Sequence, residues 1–217
     1  MSERTALVAG ASGLVGGHLL DLLLSSPDVA RVISLGRRPL ERADAKLDQR
    51  SVDFAHLDAL DLPPVTEAYC CLGTTLAKAG SREAFRAVDH DAVLAFARLA
   101  KRAGAERFLI VTALGADPRS GIFYNRVKGE VEEALKGVGF SSLTILQPSL
   151  LLGDRAESRP GERAAILASR VFAPLLRPFA SRPIEARTVA RAMVALGRAP
   201  RPGTRVVASG ELQTLGA

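Results

Sequence analysis

The sequence is poor in the residues that build nucleic-acid interfaces. Aromatic residues make up 5% of its 217 residues, and tryptophan is absent. Proteins that bind nucleic acids usually combine stacking aromatic side chains with clustered basic ones. No such pattern is present, so we expect no nucleic-acid partner. The net charge of +6 instead suits an anionic small molecule or an anionic surface, or is a general property of an arginine-rich surface.

Cysteine and histidine are also scarce. The two cysteines, Cys70 and Cys71, are adjacent. Neighbouring strand residues point to opposite faces, so a disulfide between them would be strained, and we predict reduced core thiols. The three histidines are scattered, and no metal-ligand spacing links them to the cysteines. We therefore expect no metal site.

Long apolar runs are missing. No stretch reaches the roughly 18 uninterrupted apolar residues that a membrane-spanning helix needs, and the N-terminus lacks the pattern of a signal peptide. We therefore predict a cytoplasmic protein with no integral membrane span. Hydrophobic residues form 47% of the chain, which is enough for a folded core, and we expect residues 1–217 to form a single domain.

The first twenty residues contain the most informative pattern. An apolar run at 5–9 predicts a buried strand, and a leucine-rich stretch at 14–24 predicts a helix. Glycines recur every third residue between them, one residue more widely than in the common dinucleotide-binding fingerprint. Such a turn admits a phosphate closely, offers backbone N–H groups and adds the positive end of a helix. We predict a cofactor phosphate at Gly10, Ala11, Ser12, Gly13, Leu14, Val15 and Gly16.

Strands and helices alternate along the rest of the chain, which favours a parallel sheet covered by helices. The predicted strands after the first are residues 31–35, 50–54, 68–72, 107–112, 142–150 and 205–208. The predicted helices after the first are residues 81–103, 121–137 and 184–195.

The end of the second strand predicts which cofactor is preferred. Arg37 lies 21 residues after Gly16, and Arg38 follows it. Enzymes that prefer the cofactor without a 2′-phosphate usually place an acidic residue there, on the ribose. Two guanidinium groups suit a 2′-phosphate better. We therefore predict NADP over NAD; the alternative is a solvated basic turn.

Further cofactor contacts are expected where other strands end. Asp53 could accept a hydrogen bond from the adenine amine, although an exposed loop aspartate is nearly as plausible. Leu72, Gly73 and Thr74 follow the fourth strand at the edge where open α/β sheets bind ligands. Gly73 would let the backbone lie flat against a cofactor, and Thr74 could bond a ribose or phosphate oxygen.

The candidate chemistry lies after the fifth strand. Tyr124 and Lys128 are four residues apart and share one face of a predicted helix. An ammonium group stabilises a nearby phenolate, so such a tyrosine can exchange a proton with a carbonyl or alcohol substrate, while the lysine can also bond the nicotinamide ribose. Thr112, at the end of the fifth strand, could orient the substrate oxygen.

The glycine turn and the Tyr-x-x-x-Lys pair resemble the short-chain dehydrogenase/reductase superfamily in its extended or atypical branch. The segments 70–75, 123–132 and 157–162 more closely resemble its Tat-interacting-protein oxidoreductase-like group of NAD(P)-binding proteins. The resemblance implies a Rossmann-type doubly wound parallel sheet with helices on both faces and a small C-terminal substrate-side region, and NADP(H) as cofactor. It also implies cofactor or substrate contacts at Pro148, Ser149 and Leu150. Family members commonly carry Ser-Ser where this chain has Thr112-Ala113, and Ala113 cannot supply a hydroxyl.

Three functions remain open from the sequence. The leading prediction is an NADP-dependent oxidoreductase of an unidentified carbonyl or alcohol. The alternative is a non-catalytic NADP(H)-binding regulator of a protein partner. The third is an NADP-binding protein anchored at a membrane surface by residues 164–180, which are apolar with interspersed arginines. A substrate lid is the favoured interpretation of the same segment. A homodimer through helices 81–103 and 121–137 is possible.

Overall fold

The computed structural model describes residues 4–153 and 182–217. The strands are β1 (Arg4–Ala9), β2 (Val29–Gly36), β3 (Leu47–Ser51), β4 (Glu67–Cys70), β5 (Arg107–Val111), β6 (Ser142–Gln147), β7 (Leu151–Leu152), β8 (Ile184–Glu185) and β9 (Gly203–Ala208). The helices are α1 (Leu14–Leu24), α2 (Leu76–Ala79), α3 (Arg82–Arg86), α4 (Ala92–Arg102), α5 (Phe123–Lys136), α6 (Ala186–Arg198) and α7 (Ser209–Leu215), with a π-helical turn, Ala87–Asp91, between α3 and α4.

The main sheet has seven parallel strands in the order β3-β2-β1-β4-β5-β6-β9. The direction in which successive strands are added reverses between β1 and β4. In doubly wound sheets this reversal opens a crevice at the carboxyl ends of the strands, where ligands bind. The predicted Rossmann-type fold class is confirmed.

Strand β1 is buried on both faces, as its apolar run predicts. Its alternate residues Ala6 and Val8 belong to a core cluster that includes side chains of α1, α6 and α7. Leu7 and Ala9 belong to a second cluster that includes side chains of α4 and α5. Because strand side chains alternate between faces, these two clusters show that helices cover both sides of the sheet.

The third strand was predicted three residues too far along the chain. It spans Leu47–Ser51 rather than 50–54, because its pairing with β2 runs from Val32 opposite Leu47 to Gly36 opposite Ser51. This strand forms an edge of the sheet and is only partly buried. Its polar sequence therefore lacks the apolar pattern that identifies buried strands.

Several other boundaries also differ from the prediction. Strand β4 is displaced toward the N-terminus, β5 ends one residue early, and β6 ends at Gln147 because Pro148 follows. Helix α6 begins at Ala186 because Ile184 and Glu185 pair with β7 as a short strand. Strand β9 begins two residues early, and helix α7, which follows it, was not predicted.

The predicted helix 81–103 is helical over most of its length, but it is not regular. Ser81 caps its start and accepts a hydrogen bond from the Ala84 N–H at 3.0 Å. The π-helical turn at Ala87–Asp91 then inserts an extra residue into the helical repeat. Such turns rotate the following side chains out of the regular register and often occur at functional sites.

Residues 164–180 and nearly all of the predicted loop 153–162 lie outside the described residues, so the lid and the membrane-surface segment both stay predictions. Among residues 4–153 and 182–217, no helix is long and apolar enough to span a bilayer.

Candidate cofactor and active site

The glycine turn packs directly against the end of β4. Gly10 has a φ of +85°, and a Cβ atom there would lie 2.5 Å from the Cys71 carbonyl group. A Cβ on Gly16 would overlap the Gly10 carbonyl oxygen. Ser12 and Gly13, at the N-terminus of α1, are exposed. The first and third glycines therefore allow the turn to close, which leaves the helix N-terminus open to an anion.

A cavity of about 590 Å³ runs along the carboxyl edge of the sheet beside this turn. Its size suits a large part of a dinucleotide, and Val88 and Ala92 of the π turn and α4 add an apolar wall. Nine of the predicted cofactor residues line it: Gly10, Ala11, Ser12, Gly13, Arg37, Arg38, Asp53, Leu72 and Gly73. The residues present therefore fit a nicotinamide dinucleotide.

The two arginines after β2 carry unpaired charge. Arg37 and Arg38 are exposed and make no hydrogen bond or ion pair with other residues of the described part of the chain. Arg50, which also lines the cavity, differs because its guanidinium bonds the Asp48 carboxylate at 3.1 Å and the Asp61 carbonyl at 3.0 Å. The free guanidinium groups at 37 and 38 are thus the ones suited to an added phosphate.

Asp53 lies at the cavity, beyond the end of β3. Its carboxylate accepts the Ala55 N–H at 3.0 Å and contacts His56 Nδ1 at 2.8 Å. The bond from the Ala55 N–H, then that from His56, lowers the pKa of Asp53 below its ordinary value. The carboxylate closes a local turn, and its contact with adenine stays a prediction.

Tyr124 and Lys128 lie on the first turns of α5. The Tyr124 ring is half-buried and packs against Phe85, with 5.5 Å between the ring centroids. Its hydroxyl makes no hydrogen bond with another residue of the described ranges. Lys128 is only 4% exposed, and its Nζ lies 2.7 Å from Asp89 Oδ1.

Asp89 is the functional candidate that the sequence did not reveal. It is fully buried in the π-helical turn, and its second oxygen accepts the Thr74 N–H at 2.8 Å. A Cβ on Gly73 would lie 3.5 Å from Asp89 Oδ1 and 3.7 Å from Lys128 Nζ. The ion pair therefore adjoins the cavity at Gly73. The sequence gives no signal for the Asp89–Lys128 pair, because Asp89 lies in a π turn that departs from the regular helical repeat.

The Lys128 ammonium is stabilised in its buried position. Burial alone lowers the pKa of Lys128, but the Asp89 carboxylate, followed by Tyr124, outweighs burial, and the net pKa lies above its ordinary value. Lys128 is therefore charged at neutral pH. That charge is available to stabilise a neighbouring phenolate.

The Thr112 hydroxyl donates to a side chain of α5. Thr112 is 6% exposed and donates to Glu132 Oε1 at 2.5 Å. Gln147 Nε2 donates to the same carboxylate at 2.9 Å and 3.1 Å. Burial raises the pKa of Glu132, and the bonds from Thr112 and Gln147 only partly oppose this. The three side chains fasten α5 to β5 and β6, and the role of Thr112 in orienting a substrate or contacting the cofactor stays a prediction.

The remaining predicted cofactor residues do not line the cavity. Val15 and Gly16 are buried behind the turn, and Leu14 packs against the same core cluster. Pro148 accepts the Leu114 N–H at 2.9 Å, and Ser149 bonds the Ser209 hydroxyl at 2.9 Å. Leu150 is exposed. Pro148, Ser149 and Leu150 follow β6 at the same edge of the sheet. The contact of all six residues with a ligand stays a prediction.

The two cysteines are free thiols, as predicted. Burial raises the pKa of Cys70 to about 12. A protonated, buried thiol is a poor nucleophile, so Cys70 is a core residue.

The fold and the cavity define a nucleotide-binding Rossmann-type protein. A family model described as NAD(P)H-binding matches residues 10–200. The chain therefore belongs to the NAD(P)H-binding family, and the resemblance to an atypical group of short-chain dehydrogenases/reductases is confirmed. A nicotinamide dinucleotide is the cofactor class of this family.

Individual relatives support the same assignment. Protein HTATIP2 of Rattus norvegicus is 39% identical over 202 residues, which cover 89% of this chain and 81% of the relative. Protein FMP52, mitochondrial, of Coccidioides immitis is 35% identical and covers 92% of this chain and 88% of the relative. Because the fungal relatives' names include the word mitochondrial, the predicted cytoplasmic location is not confirmed.

Solved structures agree on the fold alone. MoeE5 in complex with UDP-glucose and NAD superimposes with a TM-score of 0.71 at 19% identity, over 98% of this chain and 81% of that one. A UDP-glucose 4-epimerase from Thermotoga maritima gives 0.71 at 14% identity, over 95% and 77%.

Proposed function

We propose that this protein is an NADP-dependent oxidoreductase that interconverts a carbonyl and an alcohol in a small-molecule substrate. The observation that carries the proposal is the continuity of the cavity. It begins at the unpaired guanidinium groups of Arg37 and Arg38, passes the glycine turn and reaches Gly73. Directly behind Gly73 lies the Lys128–Asp89 pair, one helical turn from Tyr124.

Each proposed residue has a separate task. The Ser12 N–H and the N-terminus of α1 hold the cofactor's diphosphate, and Arg37 and Arg38 hold its 2′-phosphate. When bound, the cofactor supplies or accepts a hydride. The Lys128 ammonium bonds the ribose and stabilises the Tyr124 phenolate, and the Tyr124 hydroxyl gives a proton to, or its phenolate takes one from, the substrate oxygen.

Titration of the purified protein with NADPH and NADH, followed by nicotinamide fluorescence, tests the cofactor. We expect NADPH to bind about tenfold or more tightly than NADH in the wild type, and the double variant R37A/R38A to lose most of this preference. Arg31→Ala is the control, since Arg31 is an exposed arginine of β2 that pairs with Asp48. Equal affinity for the two cofactors in the wild type would overturn the NADP assignment.

A second candidate is a non-catalytic NADP(H)-binding regulator. The bond of Thr112 to Glu132, together with the missing hydroxyl at Ala113, favours it, because neither of these two positions then offers a free hydroxyl to orient a substrate at Tyr124. The discriminating variant is Tyr124→Phe, tested against a panel of aldehydes and ketones. Turnover that falls about 100-fold or more in this variant, with unchanged NADPH binding, supports the enzyme. NADPH binding without turnover of any panel compound supports the regulator.

A further inference from the structure

The loop between β2 and β3, residues 37–46, carries the two unpaired arginines. An arginine side chain is long and flexible, so the position of its backbone decides whether it reaches a phosphate without a large entropic cost. Pro39 contributes by restricting the backbone of Arg38 to extended conformations. The reach of both arginines therefore also depends on what holds the middle of this loop in place.

Both ends of the loop are held by contacts that do not involve the arginines. The Val52 N–H donates to the Gly36 carbonyl at 2.8 Å, where the loop begins. Lys46, where it ends, donates from Nζ to the Ser26 carbonyl at 2.8 Å. These contacts fix where the loop leaves and re-enters the sheet, but not its middle.

The middle of the loop is held by an ion pair between Arg42 and Asp21 of α1 and, nearer to Arg37 and Arg38, by the side chain of Gln49 from the neighbouring strand β3. Its Oε1 accepts the Leu40 N–H at 2.7 Å, and its Nε2 donates to the Arg42 carbonyl at 2.7 Å. A longer contact, 3.4 Å, joins Nε2 to the Leu40 carbonyl. One amide thus satisfies both a backbone donor and a backbone acceptor two residues apart, immediately after the Arg37-Arg38-Pro39 segment.

The chemistry of this amide suits an anion nearby. A glutamate at 49 could accept from Leu40 but could not donate to Arg42, and it would add a negative charge to the cavity wall that Gln49 lines. A methionine of similar length could do neither. Glutamine provides both hydrogen bonds without any charge.

We propose that Gln49 is the positioning residue for cofactor selectivity: it holds the 37–46 loop so that Arg37 and Arg38 meet the 2′-phosphate. The inference rests on the proposed preference for NADP. It assigns to Gln49 no contact with the cofactor itself. Its effect is therefore confined to the cofactor that carries the 2′-phosphate.

The test is the affinity of Gln49→Met for NADPH and for NADH, measured by the same fluorescence titration. We expect the Kd for NADPH to rise about tenfold, as two hydrogen bonds are lost, and the Kd for NADH to change less than about twofold. Equal weakening of both cofactors would overturn the proposal, because it would show general damage to the cavity. An unchanged Kd for NADPH would overturn it too.

A double-mutant cycle separates this inference from the NADP assignment. If Gln49 acts through the arginines, Gln49→Met should have little further effect on NADPH binding in the R37A/R38A background. Additive effects would contradict the proposed role of Gln49 while leaving the NADP preference intact. Unchanged NADPH selectivity in R37A/R38A alone would instead remove the role of the two arginines in holding the 2′-phosphate and, with it, the role of Gln49.

Discussion

At the scale of single residues, Asp89 links the cofactor cavity to the candidate catalytic pair. Its two oxygens bind Lys128 Nζ and the Thr74 N–H. A buried lysine without a counter-ion tends to lose its proton. Asp89 therefore keeps Lys128 charged while also holding the loop that follows β4.

Replacing Asp89 with asparagine preserves the shape and the acceptor for Thr74 but removes the charge. We expect Lys128 to lose its proton at lower pH in Asp89→Asn, since burial alone lowers its pKa. The pH titration of the Lys128 side-chain nitrogen, observed by NMR, measures this directly. Turnover at pH 9 should fall about tenfold more than at pH 7.

The neighbouring Asp91 provides the control, because it lies in the same π turn with a side chain that is 62% exposed. Asp91→Asn should leave the titration of Lys128 unchanged. An equal shift of the Lys128 pKa in both variants would show that the turn as a whole, and not the Asp89 charge, sets that pKa.

The sequence could predict Tyr124 and Lys128 because their spacing matches a regular helix. It could not predict Asp89, since the π turn departs from the regular repeat on which such spacing arguments depend. Thr112 was also predicted as a site residue, from its place at a strand end, and that role stays a prediction. The sequence could not predict that its hydroxyl donates to Glu132, twenty residues later. Only the packing of α5 on the sheet brings these two together.

At the scale of elements, the turn between β1 and α1 depends on two neighbouring glycines in different ways. A Cβ on Gly16 would overlap the Gly10 carbonyl, which is backbone and cannot move aside cheaply. A Cβ on Gly17 would have as its nearest contact the Ala11 carbonyl oxygen at 3.7 Å, an ordinary distance. Gly16 and Gly17 are adjacent positions of one helix, but only Gly17 has room for a Cβ atom.

We expect Gly16→Ala to lower the free energy of unfolding by about 2 kcal/mol or more, because the helix must shift away from the turn. Gly17→Ala should raise it by about 0.5–1 kcal/mol, since alanine is the better helix former. Urea denaturation followed by circular dichroism measures both. Similar effects of the two variants would mean that the turn shifts at little cost to make room for a Cβ atom at position 16.

The buried elements at the start of the chain were predictable, and the bounds of the polar edge strand β3 were not. The apolar runs of β1 and α1 gave both elements to within a residue. Strand β3 has one neighbour and a polar sequence, so its bounds are set by pairing with β2. The short strands β7 and β8 pair with each other, and this pairing joins segments more than thirty residues apart. A local sequence pattern does not reveal it.

At the scale of the whole molecule, a charged network ties together the amino ends of the strands. Glu67 is fully buried at the start of β4 and lies 2.5 Å from the Arg4 guanidinium. Arg4 also pairs with Asp28, which accepts from Arg198 of α6 at 3.1 Å. The network lies at the sheet edge opposite the cofactor cavity, so it concerns stability rather than binding.

Asp28 makes the stability of the whole fold sensitive to acid. The Arg198 guanidinium, then the Ser26 hydroxyl, holds the pKa of Asp28 well below its ordinary value of 3.8. A carboxyl group whose pKa is lower in the folded state stabilises that state above its unfolded pKa, and this contribution is lost as the pH falls further. The contribution of Asp28 is thus complete at pH 7 and declines below about pH 4.

Asp28→Asn should therefore be about 1–2 kcal/mol less stable than the wild type at pH 7. The difference should shrink steadily below pH 4, because the unfolded wild-type chain then binds a proton at Asp28 while the folded chain still holds the ionised carboxylate. Urea denaturation at a series of pH values measures it, with the exposed Asp58→Asn as the control. A difference that stays constant from pH 7 to pH 2 would show that Asp28 acts through its shape and hydrogen bonds alone, because removing an ionised group must give an effect that depends on its ionisation.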